Sequence, residues 1–362
     1  MSWRREPTRR RRRLGNGARA RVETRVMARD DVDEDFFTAL DARSRALDDA
    51  LARGTMRVCS WNVQALVGIF RGQGGARADV RARIDRVAVN VLRAAASGAM
   101  DVVAFQEVWD DACRTRLREA LREAFPFAYA PKARCGLMVF SKFSHVCNHF
   151  ARLGGASGVE ARVFEKGVCS TILRLDGKKR VCVLMNCHLQ SDYWSNGRSA
   201  RVEQLRGVRE AFHRVVRECA GNGYEVDRCI LCGDLNVEAG SDEYLVMMRS
   251  TFPGAIDLML PPSSNVDVGS FRLTFPVARW RHYVVPCGRE SRYIDQTPRT
   301  RIDYVLDLTP MVKTDAPPRH ARVDSGYVHE AMCRDASGRA LSDHFPIIAF
   351  SSLYASDGDD SP

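Results

Sequence analysis

The chain has 362 residues, 45% hydrophobic and 28% charged, which excludes a disulfide-stapled miniprotein and a disordered polymer and leaves a globular body with a sizeable core. The formal net charge is +10, but eleven arginines against Glu6 and Glu23 place +9 of it between Met1 and Arg29, so the other 333 residues carry only +1. A nucleic-acid or anionic-membrane partner for the body therefore does not follow from net charge.

Residues 1–35 read as an arm, basic over Arg9–Arg13 and acidic over Asp30–Asp35. Like charges this close repel, so a solvated, disordered segment is expected, with nuclear import or organelle targeting as the alternatives. Phe37, Leu40, Leu47 and Leu51 have helical spacing, which makes 36–54 a helix that could dock on the body. Over residues 55–354, short apolar runs read as strands at Arg57–Trp61, Asp101–Phe105, Gly136–Ser141, Cys169–Leu175, Arg180–Asn186, Arg228–Cys232, Ile302–Leu306 and Phe345–Phe350. Helical spacing marks Val80–Ala96, Ala112–Ala124, Arg201–Cys219 and Asp242–Ser250. Turn-length links such as Asp176-Gly177-Lys178-Lys179 predict hairpins, so the architecture should be mixed sheets covered by helices. Residues 253–300 and Pro310–Leu341 read as long excursions, and 355–362 as a frayed acidic tail.

Twelve cysteines raise the question of disulfides or zinc. Cys59, Cys169, Cys182, Cys187, Cys229 and Cys232 all sit in apolar strand-like runs, where buried reduced thiols are expected. Cys229 and Cys232 fit C-x-x-C, but residues three apart on a strand face opposite sides, and no second pair has zinc spacing. No run reaches the roughly 18 apolar residues of a membrane span, and the N-terminus lacks the apolar stretch of a secretory signal, so a soluble or peripheral intracellular protein is expected.

Six polar clusters fall at the ends of the expected strands: Trp61-Asn62-Val63, Gln106-Glu107-Val108, Asn186-Cys187-His188-Leu189-Gln190, Gly233-Asp234-Leu235-Asn236-Val237, Arg301-Ile302-Asp303-Tyr304 and Ser342-Asp343-His344-Phe345-Pro346. Strand ends from distant segments can converge on one rim of a sheet. There they would assemble Glu107, Asn62, Asp234, Asp303, Asp343 and two histidines, His188 and His344. Oxygen donors without clustered cysteine suit Mg2+, which binds through one or two carboxylates plus substrate phosphate. That chemistry is hydrolysis at phosphorus, with the histidines sharing the proton work.

The ordered clusters resemble the endonuclease/exonuclease/phosphatase superfamily, from Met56 to about Leu353. The resemblance implies a four-layer α/β sandwich of two packed mixed sheets, the DNase I-like fold, occupying residues 55–354 as one domain. It implies Glu107 and Asn62 at Mg2+, with Mn2+ as a substitute, and Asp343 beside the metal or its waters. Asp234 and Asn236 would position phosphate and water, His344 would be the general base oriented by Asp303, and His188 would stabilise the phosphate or assist the leaving group. Within the superfamily, Arg77-Ala78-Asp79, Gln106-Glu107-Val108-Trp109-Asp110, Glu165-Lys166-Gly167-Val168, His188-Leu189-Gln190, Arg201-x-x-Gln204-Leu205 and Ser342-Asp343-His344-Phe345-Pro346 resemble the neutral sphingomyelinases. These cleave sphingomyelin to ceramide and phosphocholine, and the resemblance implies Lys166 and Gln190 as substrate contacts.

Pro310–Leu341 lacks the aromatic hairpin of secreted bacterial members, so membrane contact would fall to Phe271–Tyr293, with Trp280 and Tyr283, or to Tyr193 and Trp194. The expected partner is a phospholipid at a membrane surface, met by a monomer. The alternatives are a nuclease that uses the arm on nucleic acid and a catalytically dead binding module.

Overall fold

A computed structural model describes residues 54–66, 77–156, 162–175, 179–192, 197–260, 275–276, 299–312, 326–338 and 340–353. The basic arm, the helix expected over 36–54 apart from Gly54, the acidic tail, and Tyr193, Trp194, Trp280 and Tyr283 lie outside the described residues.

Two six-stranded sheets form the centre. The first takes β1 (Thr55–Ala65), β2 (Val102–Val108), β3 (Phe127–Tyr129), β4 (Met138–Ser141), β13 (Gly326–Val328) and β14 (Ile347–Ser352) in the order β13-β14-β1-β2-β4-β3. The second takes β5 (His145–Arg152), β6 (Gly167–Arg174), β7 (Arg180–His188), β8 (Glu225–Asp234), β9 (Ile256–Asp257) and β12 (Asp303–Asp307) in the order β5-β6-β7-β8-β12-β9. A separate two-stranded pair joins β10 (Phe275–Pro276) to β11 (Arg299–Thr300). Among the described strands only β1 with β2 and β7 with β8 run parallel, each pair linked by a helix, α1 (Arg77–Ala96) or α3 (Gly197–Gly221); their other pairings are antiparallel.

Strand alternation builds the layers. In β1, Met56 and Val58 face the second sheet, meeting Leu184, Ile230 and Cys232, while Cys59, Trp61 and Val63 face the helices. Ile84, Val87 and Val91 of α1 and Leu117 of α2 (Asp111–Leu121) cover that outer face. On the opposite side Leu205, Val208 and Phe212 of α3 cover Val183, Met185 and Leu231. The result is four layers, helix, sheet, sheet, helix, as the family resemblance implies.

The expected strands all form, extended at several ends by the polar residues that carry the site: β2 continues to Val108, β7 to His188 and β8 to Asp234. The helix expected over Asp242–Ser250 is a short α4 (Asp242–Val246) capped by the Ser241 hydroxyl and followed by a π-helical turn, Met247–Thr251. The β5 edge strand was not expected, because it is half-exposed and spelled His145-Val146-Cys147-Asn148-His149, without an apolar run. Nor was β13, which lies inside the excursion expected over Pro310–Leu341. Eleven described cysteines are free thiols, all buried except Cys147. Cys229 and Cys232 sit in different core layers, as the strand geometry requires.

Candidate active site

The pairings put the C-terminal ends of β1, β2, β7 and β8 and the N-terminal ends of β6, β12 and β14 on one rim. Every polar cluster singled out in the sequence ends there. The last residues of β1 bulge at Gln64, which has φ +45°; Glu107 and Asn236 have φ +61° and +52°. These are the described non-glycine residues with positive φ, and all three lie at the rim. Backbone strain of about 1–3 kcal/mol each is held in place only where surrounding contacts enforce it.

Asn62 is at the centre. Its Nδ2 donates to Glu107 Oε1 at 3.1 Å and to Asp234 Oδ2 at 3.0 Å, and its Oδ1 accepts from the Gln64 backbone N–H at 3.1 Å. Only an oxygen can accept that backbone proton, so the amide turns its NH2 to the two carboxylates. This differs from the expected role of Asn62 as an oxygen donor to a metal: Asn62 sets the spacing of Glu107 and Asp234. Asp343, expected beside the metal, receives a 2.7 Å hydrogen bond from Gln64 Nε2.

His344 Nδ1 lies 2.9 Å from Asp303 Oδ2, and its Nε2 lies 3.7 Å from Asp234 Oδ2. Its carbonyl accepts from the Trp61 indole N–H at 3.0 Å, and its backbone N–H donates to Ser342 Oγ, whose hydroxyl donates to the Asn62 carbonyl at 2.6 Å. On the second sheet, His188 Nε2 lies 3.6 Å from Asp234 Oδ2, 3.8 Å from Glu107 Oε1 and 3.4 Å from Lys166 Nζ. Lys166 Nζ and Asn236 Nδ2 donate to the same acceptor, the Leu189 carbonyl, at 3.0 and 3.1 Å. Gln190, expected to touch substrate, is instead fully buried; its N–H donates to Gln204 and its carbonyl accepts from Arg201.

Burial pushes the carboxyls of Glu107, Asp343 and Asp234 up, Asp343 adding to the shift of Glu107; Asp234 reaches about 7 against the opposing pull of His344. Burial disfavours charge on His344, but Asp303 and Asp234 outweigh it and hold the imidazole well above its usual value. Burial, Lys166 and His344 together hold His188 well below. Two histidines flank one carboxylate with opposite proton affinities, which is the arrangement that separates acid and base roles.

The donor set fits a hard divalent cation. Glu107, His188 and Asp234 present ligand atoms within 4.8 Å of one another, as do Asp234, Asp303 and His344. Glu107 Oε2 is buried without a hydrogen-bond partner, an orphaned acceptor that a cation would satisfy.

Sequence reasoning left out Arg83 and assigned no role to Arg301, Gly233 and Trp109, although the clusters and motifs include these three. Arg83 of α1, 5% exposed, donates to the carbonyls of Val63, Gln64 and Leu341, tying the bulged end of β1 to the segment before β14. Its one signal is an arginine on the apolar face between Val80 and Val87. Arg301, fully buried, pairs with both Asp257 oxygens at 3.0 and 2.6 Å and lies 4.5 Å from the Tyr304 ring centroid. Gly233 has φ +137°, and a Cβ there would stand 1.9 Å from the Cys187 carbonyl oxygen. Trp109 stacks on Phe164 at 4.1 Å and borders His188 with ring centroids 6.1 Å apart.

The family model described as Endonuclease/Exonuclease/phosphatase matches residues 59–344, which includes every rim position above. The chain belongs to this family. Its members are metal-dependent hydrolases. Among solved structures, sphingomyelinase C from Streptomyces griseocarneus is 21% identical, with a TM-score of 0.55 over 82% of this chain and 99% of its own. Beta toxin from Staphylococcus aureus, in a mutant form with bound magnesium ions, is 18% identical, with a TM-score of 0.55 and coverages of 82% and 99%. Truncated TDP2 from Caenorhabditis elegans is 18% identical, with a TM-score of 0.53 and coverages of 82% and 97%. These likenesses establish the DNase I-like fold. No curated protein matches the chain. No helix among the described residues is long and apolar enough to cross a membrane.

Proposed function

We propose that this chain is a Mg2+-dependent phosphodiesterase acting as a phospholipase C on sphingomyelin or a related sphingophospholipid, releasing ceramide and phosphocholine or a related head group. The observation that carries this reading is the meeting of Lys166 with the His188–Leu189 turn, at 3.4 Å from the imidazole and 3.0 Å from the carbonyl. It joins the Lys-Gly-Val and His-Leu-Gln stretches, the two most specific to the sphingomyelinase branch, into one feature of the site. The likeness to the Streptomyces sphingomyelinase C supports the same branch.

Glu107 and Asp234 would hold the cation, with His188 at its edge and Asp343 near it. When bound, Mg2+ supplies Lewis acidity toward a phosphoryl oxygen and relieves the carboxylate pull on His344, lowering its proton affinity toward the range where a base works. His344, oriented by Asp303, takes a proton from the attacking water as the new P–O bond forms. The bond from phosphorus to the ceramide oxygen breaks opposite, and that oxygen takes a proton from solvent, to which the imidazolium of His344 returns the proton it accepted. Lys166 and Asn236 place N–H donors where phosphoryl charge grows, and neutral His188 can donate there without adding charge.

Product analysis with sphingophospholipids, glycerophospholipids and single-stranded DNA, run with Mg2+ and with EDTA, tests the reading. Release of soluble phosphocholine or a related head group only with metal is expected. Cleavage of DNA alone would overturn the substrate and favour the nuclease alternative.

A further inference from the structure

We propose that Gln204 and Arg201, one turn apart on α3, are positioning residues that aim the Leu189 carbonyl at the site, and through it Lys166 and Asn236. The proposal rests on the phosphodiesterase reading of the rim. Leu189 C=O and Gln190 N–H belong to one planar trans peptide, so fixing the direction of one group fixes the other. The Gln190 N–H donates to Gln204 Oε1 at 2.8 Å at one edge of that plane, and the Leu189 oxygen, pointing the opposite way, receives Lys166 Nζ and Asn236 Nδ2. Rotation of this peptide would carry the shared acceptor away from both site side chains at once.

Arg201 locks the next carbonyl. Its Nη1 donates to Gln190 O at 2.9 Å, its Nε and Nη2 bind both Glu243 oxygens at 2.7 Å, and Nη2 also reaches Asp192 at 3.1 Å. The guanidinium is 2% exposed, and the bidentate fork to α4 leaves it one orientation. Gln204 is fully buried. Neither side chain hydrogen-bonds the site carboxylates or histidines, so their influence on the chemistry must pass through the Leu189–Gln190 peptide.

The variants Gln204→Leu and Arg201→Lys are assayed on bis(4-nitrophenyl) phosphate, a diester that carries no lipid. This separates the proposal from the choice of sphingolipid. A fall in kcat of about 10- to 100-fold with KM and Mg2+ affinity little changed is expected, since a displacement near 1 Å can cost that much. In the Lys166→Ala/Asn236→Ala background the same substitutions should add less than about threefold, because their route of action is already gone. Independently of turnover, the Asn236 side-chain amide resonance, assigned by its loss in Asn236→Ala, should shift in Gln204→Leu. Additive losses in the background, or an unmoved Asn236 resonance, would overturn the proposal even if the diester proves not to be a substrate. Arg201→Lys keeps the test available if Gln204→Leu does not fold, because it retains charge and loses the fork.

Discussion

Removing the charge of Asp234 should change how stability depends on pH, in a direction that the fold dictates. The carboxyl is 2% exposed, lies 3.6 and 3.7 Å from two imidazoles, and titrates at about 7 against an ordinary 3.8. A raised carboxyl pKa means the folded state binds the proton more tightly than the unfolded one. The contribution is therefore fully present below pH 3.8 and is lost as pH rises to about 7. At about 1.4 kcal/mol per pKa unit the loss is on the order of 4 kcal/mol. His344, whose pKa is raised above 6.5, adds a loss of the same sense, but only from pH 6.5 upward, because its contribution is complete below that value and falls away as pH rises toward its folded pKa. His188, lowered by burial, works in the opposite sense as pH falls, and Glu107 and Asp343 work in the same sense as Asp234. For that reason the measurement is a difference between wild type and Asp234→Asn, taken from urea unfolding in EDTA between pH 5 and 8. Wild type should lose stability relative to the variant as pH rises. Mg2+ at a hundred times its dissociation constant should restore about 2.7 kcal/mol at pH 8, and less at pH 5 where protons compete for the ligands. Parallel curves for the two proteins would refute the raised proton affinity of Asp234, and equal Mg2+ stabilisation at both pH values would refute its assignment to the cation.

His344→Ala should lower turnover on the phosphodiester at least about 100-fold and, by stranding the buried Asp303, also lower the urea midpoint; Asp303→Asn should lower turnover comparably through the lost orientation of Nδ1, as steady-state kinetics on the folded fraction would show. Gly233→Ala combines a positive φ with a Cβ thrust against the Cys187 carbonyl, so it should cost about 2–3 kcal/mol by urea unfolding and separate β7 from β8 next to His188 and Asp234. Arg301→Met strands Asp257 in the core and should cost about 3–5 kcal/mol, part of which Arg301→Met/Asp257→Leu recovers.

The layers were legible because the residues that build them act locally. Apolar runs such as Val181–Met185 and Ile230–Cys232 read as strands whatever they pair with, and the polar residues that end them mark the rim. The half-exposed β5 edge escaped because one covered side leaves no apolar run to read. The orientation of Asn62 also escaped, because the sequence gives the residue type and not the atom that faces the carboxylates. The Gln64 N–H that decides it is two residues away, but only in a backbone with φ +45°. Arg83 reaches Leu341 across 258 positions, and Gln106 joins Asn186 across 80, at 2.8 Å between the two sheets. Contacts of that range follow from the assembled topology and leave almost no trace in local pattern.

The same contacts explain how a strained rim stays put. Gln64, Glu107 and Asn236 each hold a conformation that favours glycine, yet each keeps a side chain that the site uses. The backbone around them is fixed by hydrogen bonds: Arg83 donates to the carbonyl of Gln64 itself, Asp234 accepts from the Asn236 N–H at 2.9 Å, and the Gly136 carbonyl accepts from the N–H after Glu107 at 2.9 Å. Charge-assisted bonds from desolvated guanidinium groups are strong enough to oppose strain of this size. Arg83, Arg201 and Arg301 consequently direct their charge inward, onto carbonyls and Asp257, Asp192 and Glu243. Counting arginines overstates how much positive charge the body can show to a substrate. The body's rigidity and the position of its phosphoryl donors draw on those residues, whereas long-range attraction to an anionic surface would fall to the +9 segment Met1–Arg29.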